Sequence, residues 1–182
     1  HRQGVVHRDI KPGNILLAEG HATIADFGIA RAIEAARADR VTSTGLGVGT
    51  PLYASPEQAT AQDTLDGRTD IYSLATTLYE LLTLQPAIAG EDRHELLRRL
   101  EDSRPTSPRQ IDPRVPADLE TILMQAMAYR PVDRYDTAKQ LADDLRNFLA
   151  NRPIQARRAS LSHRAIRRVQ RHPFTSALLV VL

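Results

Sequence analysis

A chain of 182 residues, 42% hydrophobic and 25% charged, is long enough to bury one sizeable core and has the composition of an ordinary globular domain. Cysteine is absent, which excludes a disulfide framework, a thiolate metal site and a thiol nucleophile. Charge is uneven: residues 151–172 hold seven arginines (152, 157, 158, 164, 167, 168 and 171) and no acid, so with +2 overall the remainder carries −5. With aromatics at 4%, the core is expected to be built mostly from Leu, Ile, Val and Ala.

In chain order, Val5 and Val6 predict a short strand, and the first residues show none of the plan of a signal peptide. The apolar runs ILL and ATIA, joined by EGH, predict a hairpin. From Ile29 to Leu52 no periodicity is sustained, and TSTGLGVGTP predicts a long loop of the kind that is usually functional. RTDIYSLATTLYELLT is apolar almost all round and predicts a buried helix. EDRHELLRRLED predicts a short amphipathic helix with a wet charged face, stopped before Pro105. PADLETILMQAMA places Pro116 at a helix start, where a missing N–H costs nothing. DTAKQLADDLRNFLA predicts an amphipathic helix with Leu141, Leu145, Phe148 and Leu149 on one face. No internal repeat is present.

The opening motif, HRDIKPGN at His7 to Asn14, carries the chemistry. Phosphoryl transfer needs a carboxylate to orient the attacking hydroxyl, a cation against the transferring phosphate, and oxygen ligands for Mg²⁺. Asp9, Lys11 and Asn14 offer all three types within six residues, and Asp26 in DFG follows Asn14 by twelve residues across the predicted hairpin. A hairpin brings those two loops together, so Asn14 and Asp26 can share a hard cation.

H-R-D to N, then D-F-G, then SPE in the place of A-P-E, form a signature set in order. On these residues the chain resembles the large C-terminal lobe of a eukaryotic-type serine/threonine protein kinase, over roughly residues 1–150. The implied fold is α+β and protein kinase-like: a mainly helical C-lobe with a small β-hairpin at the catalytic loop, the N-lobe being absent from this chain. Lys11, two places after Asp9, matches the Ser/Thr form of the motif.

The resemblance implies roles for individual residues. Asp9 is the catalytic-loop base, Lys11 lies on the γ-phosphate, Asn14 and Asp26 hold Mg²⁺ (or Mn²⁺), and Leu16 lies beneath the adenine of ATP. Thr50 hydrogen-bonds the catalytic Asp and Lys beside the substrate-docking segment GTPLY. Glu57 and Arg134 form a buried ion pair, and Asp70 holds the catalytic loop's backbone from below. Arg8 receives a phosphorylated activation-loop residue, for which Thr42 and Thr44 are the candidates. His7 and Phe27 pack inside, and the remaining histidines near the surface do no chemistry. Ser55 in place of Ala, Gly13 and Ala75 depart mildly from the family pattern, and none touches a catalytic atom.

The family's glycine-rich loop, strand lysine and its glutamate partner are expected before His1, which makes the chain a fragment of a longer signalling protein, inactive alone. The arginine-rich stretch 151–172 reads as a basic juxtamembrane linker, and FTSALLVVL within 173–182 as the start of a transmembrane helix, since nine residues cannot span a bilayer that needs about 20. That order fits the positive-inside rule and places residues 1–172 at the cytoplasmic face of a membrane, the alternative being simply cytoplasmic. Implied partners are ATP, protein substrates with Ser or Thr, a second copy for autophosphorylation, and anionic lipid. Nucleic acid is disfavoured because neither aromatics nor a recognition fold accompanies the arginines. The rival reading is a non-catalytic kinase-like lobe that binds partners. A small-molecule phosphotransferase would not need the peptide-docking segment GTPLYASPE.

Overall fold

The computed structural model describes residues 1, 4–26, 52–60, 62, 64–88, 95, 98–99 and 105–156. Phe27, Thr42, Thr44, Thr50, most of the predicted loop and the segment 157–182 lie outside the described residues. Of the helix expected over 91–102, residues 95, 98 and 99 are described and are helical.

A 3-10 turn, Pro12–Asn14, leads into an antiparallel hairpin of β1 (Ile15–Ala18) and β2 (His21–Ile24), with Ile15 opposite Ile24 and Ala18 opposite His21. The connection is two residues, Glu19 and Gly20, both at positive φ (49° and 77°), the mirror-image turn whose twist matches its strands. Leu17 is 81% exposed and Leu16 58%, so the hairpin lies on the surface. Val5 and Val6 form no strand. They run without a ladder partner into the loop HRDIKPGN, because the only sheet among the described residues is this two-stranded hairpin.

Helices build the rest: α1 (Pro56–Ala59), α2 (Gly67–Thr83), α3 (Pro108–Ile111), α4 (Ala117–Ala126) and α5 (Ala138–Leu149), with a 3-10 turn at Pro131–Asp133. The helix α2 is central and packs on α3, α4 and α5, while α4 packs on α5. Ser73, Thr76, Thr77 and Thr83 survive burial because each hydroxyl closes on its own helix, donating to a carbonyl three or four residues back.

The core comprises Ile71, Tyr72, Ala75 and Tyr79 of α2, Leu119, Ile122, Leu123 and Ala126 of α4, and Leu141 of α5, with Tyr135 between the last two. The core is mostly aliphatic, as its composition predicts, and three of the chain's five tyrosines are buried with it. The face predicted for α5 is corrected, for Leu149 is 78% exposed while Asp144 is 1% exposed. At about 100° per residue, Leu149 falls at the edge of the stripe marked by Leu141, Leu145 and Phe148, whereas Asp144 falls within its other flank. Among the described residues no helix is long and apolar enough to cross a membrane.

Candidate active site

The loop HRDIKPGN lies across the start of α2, and its conformation is imposed from there. Asp66 caps α2 by accepting from the N–H of Arg68, which brings Asp70 into the first turn. The buried Asp70 carboxylate accepts the backbone N–H groups of His7 and Arg8, both at 2.8 Å, and meets His1 Nε2 at 2.8 Å. Arg8 is thereby held at φ 67°, a left-handed conformation uncommon for residues with a Cβ. His7 is buried; its Nδ1 accepts from the N–H of Asp9 at 3.3 Å, which leaves Nε2 to donate to Ala25 O at 3.0 Å and assigns the Nε2–H tautomer.

The candidate residues Asp9, Lys11 and Asn14 cluster together on the loop. Asp9 Oδ2 accepts from Lys11 Nζ at 2.8 Å and from Asn14 Nδ2 at 3.0 Å, and Asn14 Nδ2 also donates to Asp9 O at 2.8 Å. Pro12 starts the 3-10 turn that makes this compact arrangement, with the N–H of Asn14 bonded to Lys11 O. Asn14 is buried; Asp9 and Lys11 are partly open. The Asn14 carbonyl accepts from the N–H of Ala25 at 2.8 Å, so the hairpin places exposed Asp26, at φ 57°, beside the loop as its spacing predicts. Leu16 stands on β1 with its side chain open to solvent.

With both amide hydrogens of Asn14 turned to Asp9, its Oδ1 is the atom left for a cation, and the Asp26 carboxylate is open. One amide oxygen and one carboxylate are a hard donor set suited to Mg²⁺, which keeps waters and takes further ligands from a substrate's phosphates. The residues fit that ion. They form no self-sufficient cage: among the described residues no group of three or more His, Cys, Asp or Glu could hold a metal.

Behind the loop, α1 is locked to the helical body. Arg134, 4% exposed, donates from Nη1 and Nη2 to the two oxygens of Glu57, at 2.7 and 2.8 Å. Its remaining donors reach the carbonyls of Ala128, Arg68 and Tyr129, and its guanidinium lies 4.8 Å from the centre of the Tyr72 ring. Burial alone would raise the Glu57 carboxyl's pKa. The Arg134 guanidinium, with Glu57's own backbone and the Thr69 hydroxyl, outweighs it and holds the group below its ordinary value. The Tyr53 phenol is pushed up to about 12, by burial first and then by the nearby Glu80 carboxylate.

Thr69 to Glu57 and Gln58 to the Arg8 carbonyl are among the contacts that had no counterpart in the sequence reading. Of the two, a signal existed for Gln58 alone, since S-P-E-Q has the S-x-x-Q form of a capping box, and Ser55 and Gln58 do close one.

The chain is similar in sequence to known proteins. The profile of the protein kinase domain family matches residues 1–151. Serine/threonine-protein kinase PknB of Mycobacterium leprae is 38% identical over 157 residues, 86% of this chain and 25% of that protein. PknB of Mycolicibacterium smegmatis is 41% identical over 150 residues, 80% of this chain and 23% of its own length. A probable serine/threonine-protein kinase of Streptomyces coelicolor, SCO3848, is 36% identical over 157 residues, with 86% and 23% covered. The chain thus spans about a quarter of the length of these curated relatives. Motif order, a helical body with one small hairpin, and these matches agree, and the chain belongs to the protein kinase domain family, among its eukaryotic-like bacterial serine/threonine members.

Proposed function

We propose that this chain supplies the catalytic loop, the metal ligands and the substrate-docking helices of a kinase that phosphorylates Ser or Thr hydroxyls of proteins with ATP. One observation carries it: the Asp9 carboxylate is held by Lys11 and Asn14 on a loop whose backbone hangs from Asp70. In the reaction a substrate hydroxyl oxygen bonds the γ-phosphorus as the bond to the β–γ bridging oxygen breaks, releasing ADP. Asp9 orients that hydroxyl and takes its proton, and Lys11 sits within reach of the charge that develops on the γ-phosphoryl oxygens. Mg²⁺, when bound by Asn14 and Asp26, neutralises the phosphate oxygens.

Regulation belongs to the same reading. Arg8, beside Asp9, receives phosphate placed on Thr42 or Thr44, and a second copy of the chain supplies it. By the family resemblance, Thr50 serves Asp9 and Lys11, and GTPLY serves the docking of the peptide. The arginines of 151–172 followed by FTSALLVVL support a position at the cytoplasmic face of a membrane.

The test is Asp9→Asn in the intact kinase carrying this sequence, with transfer of labelled phosphate to a Ser/Thr peptide as readout. Loss of a general base lowers kcat by about 10²–10⁴-fold with the fold retained. An Asp9→Asn protein as active as the parent overturns the reading.

A further inference from the structure

The peptide unit joining Arg8 to Asp9 is held at both ends. Its carbonyl, Arg8 O, accepts from Gln58 Nε2 at 2.7 Å, and its N–H, on Asp9, donates to His7 Nδ1 at 3.3 Å. That unit leads directly into the Cα of Asp9, so its plane sets where the carboxylate points. At φ 67° Arg8 does not select this plane by its own preference. Asp70 turns the preceding N–H groups inward, and Gln58 takes the carbonyl.

Gln58 is itself oriented. Its Oε1 accepts from the N–H of Ser55 at 3.0 Å and from Ser55 Oγ at 3.3 Å, which leaves Nε2, the only donor of the amide, for Arg8. The neighbouring Glu57 is bound by Arg134, so the short helix α1 that carries Gln58 is tied to the helical body. A chain of direct contacts therefore runs from the SPE segment to the carboxylate of Asp9. It also accounts for Ser55, whose hydroxyl and N–H both serve the amide that holds the loop.

We propose that Gln58 is a positioning residue for phosphoryl transfer, fixing the Arg8–Asp9 peptide plane and so coupling the end of the activation segment to the base. The proposal rests on the reading of Asp9 as that base. Misplacing a reacting group by a fraction of its hydrogen-bond reach lowers turnover while leaving ground-state binding in place.

Three variants of the intact kinase carrying this sequence separate positioning from capping. Gln58→Glu keeps the acceptor that Ser55 uses and removes the donor to Arg8, Gln58→Met removes both without adding charge, and Ser55→Ala trims the cap but keeps Gln58 and the Ser55 N–H. Both Gln58 variants are expected to lose about 10- to 100-fold in kcat with KM for ATP and peptide nearly unchanged, and Ser55→Ala to lose clearly less than either, because the Ser55 N–H still orients the amide. Hydrogen exchange at the Asp9 amide, read on this chain, is expected to speed up in Gln58→Glu and Gln58→Met alone. Unchanged kcat in both Gln58 variants, or an equal loss in Ser55→Ala, overturns the proposal. If the parent kinase transfers no phosphate, the functional reading fails, and the exchange measurement decides alone: an Asp9 amide as slow in Gln58→Glu as in the parent overturns positioning by Gln58.

Discussion

Arg134 and Glu57, 77 positions apart, meet through two short parallel bonds at a site where neither side chain is more than 4% exposed. All five N–H groups of the guanidinium are used, two on the carboxylate and three on backbone carbonyls. A lysine ammonium has three donors on a point charge and cannot reproduce that fork. Arg134→Lys is therefore expected to destabilise nearly as much as Arg134→Met, each by about 3–5 kcal/mol, because Glu57 is left buried and under-paired. Urea unfolding of the chain measures it, and a lysine variant as stable as the parent would contradict the argument.

The same pair sets an acid limit. Glu57 titrates below its ordinary value of 4.5 when folded, so the unfolded chain binds its proton first as pH falls. The stabilisation is fully present above about pH 4.5 and is lost as pH drops through the lower, folded value. Stability measured from pH 6 down to pH 3 should fall less steeply in Glu57→Gln than in the parent, from a lower start. Parallel curves would mean that other carboxyls govern acid unfolding.

Asp70 holds the backbone N–H groups of His7 and Arg8 with two oxygens, so Asp70→Asn keeps its size and replaces one acceptor by a donor. One of the two N–H groups then faces an N–H, at a penalty of about 1–3 kcal/mol. Arg8 is released from its left-handed conformation, and the expected result is faster hydrogen exchange at His7 and Arg8 with the body of α2 still protected. Uniform loss of protection would show that Asp70 serves the whole fold and not the loop.

Leu84 closes α2 at φ 56°, with its N–H on Glu80 O and its side chain 88% exposed. A left-handed C-terminal cap favours glycine, and an L residue there costs about 1–2 kcal/mol. Leu84→Gly relieves that strain, removes no buried contact and gives some of the gain back as unfolded-state entropy, for a net stabilisation of about 1 kcal/mol. A lower thermal midpoint in this variant would mean that the Leu84 side chain packs more productively than its exposure indicates.

How legible each feature was follows from what kind of group it contacts. Asp9, Lys11 and Asn14 lie within six residues, so their meeting could be read from spacing, and the hairpin that brings Asp26 back was marked by two apolar runs around a turn. Gln58 was not read because its partner, 50 positions away, is a backbone carbonyl, and a carbonyl has no residue-type signature. The helical body was legible from periodicity, which does not say where a buried hydroxyl finds its acceptor. Tyr72, Tyr79 and Tyr135 enter the core because each carries a large apolar ring, and Tyr79 and Tyr135 find acceptors for their hydroxyls in Thr106 O and Asp144.

Asp144 is the clearest case of polarity misleading, and its environment gives the last prediction. Its buried carboxylate accepts from the Tyr135 hydroxyl at 2.9 Å and from the N–H groups of Gln155 and Ala156, both at 2.7 Å, so it straps the chain after α5 back onto the core. Burial first, and the Asp144 carboxylate second, raise the Tyr135 phenol far above its ordinary 10.0, which keeps the hydroxyl a donor across the range in which the fold survives. Tyr135→Phe removes one of three donors and leaves the strap bonded, at a cost of about 1–3 kcal/mol. Asp144→Ala orphans all three donors and opens a cavity, and should cost more than Tyr135→Phe by several kcal/mol, with residues 151–156 becoming susceptible to protease before the helices unfold. The comparison of the two variants by urea unfolding and limited proteolysis is decisive: equal losses would place the stabilisation in the bond from the Tyr135 hydroxyl and not in the strap to Gln155 and Ala156.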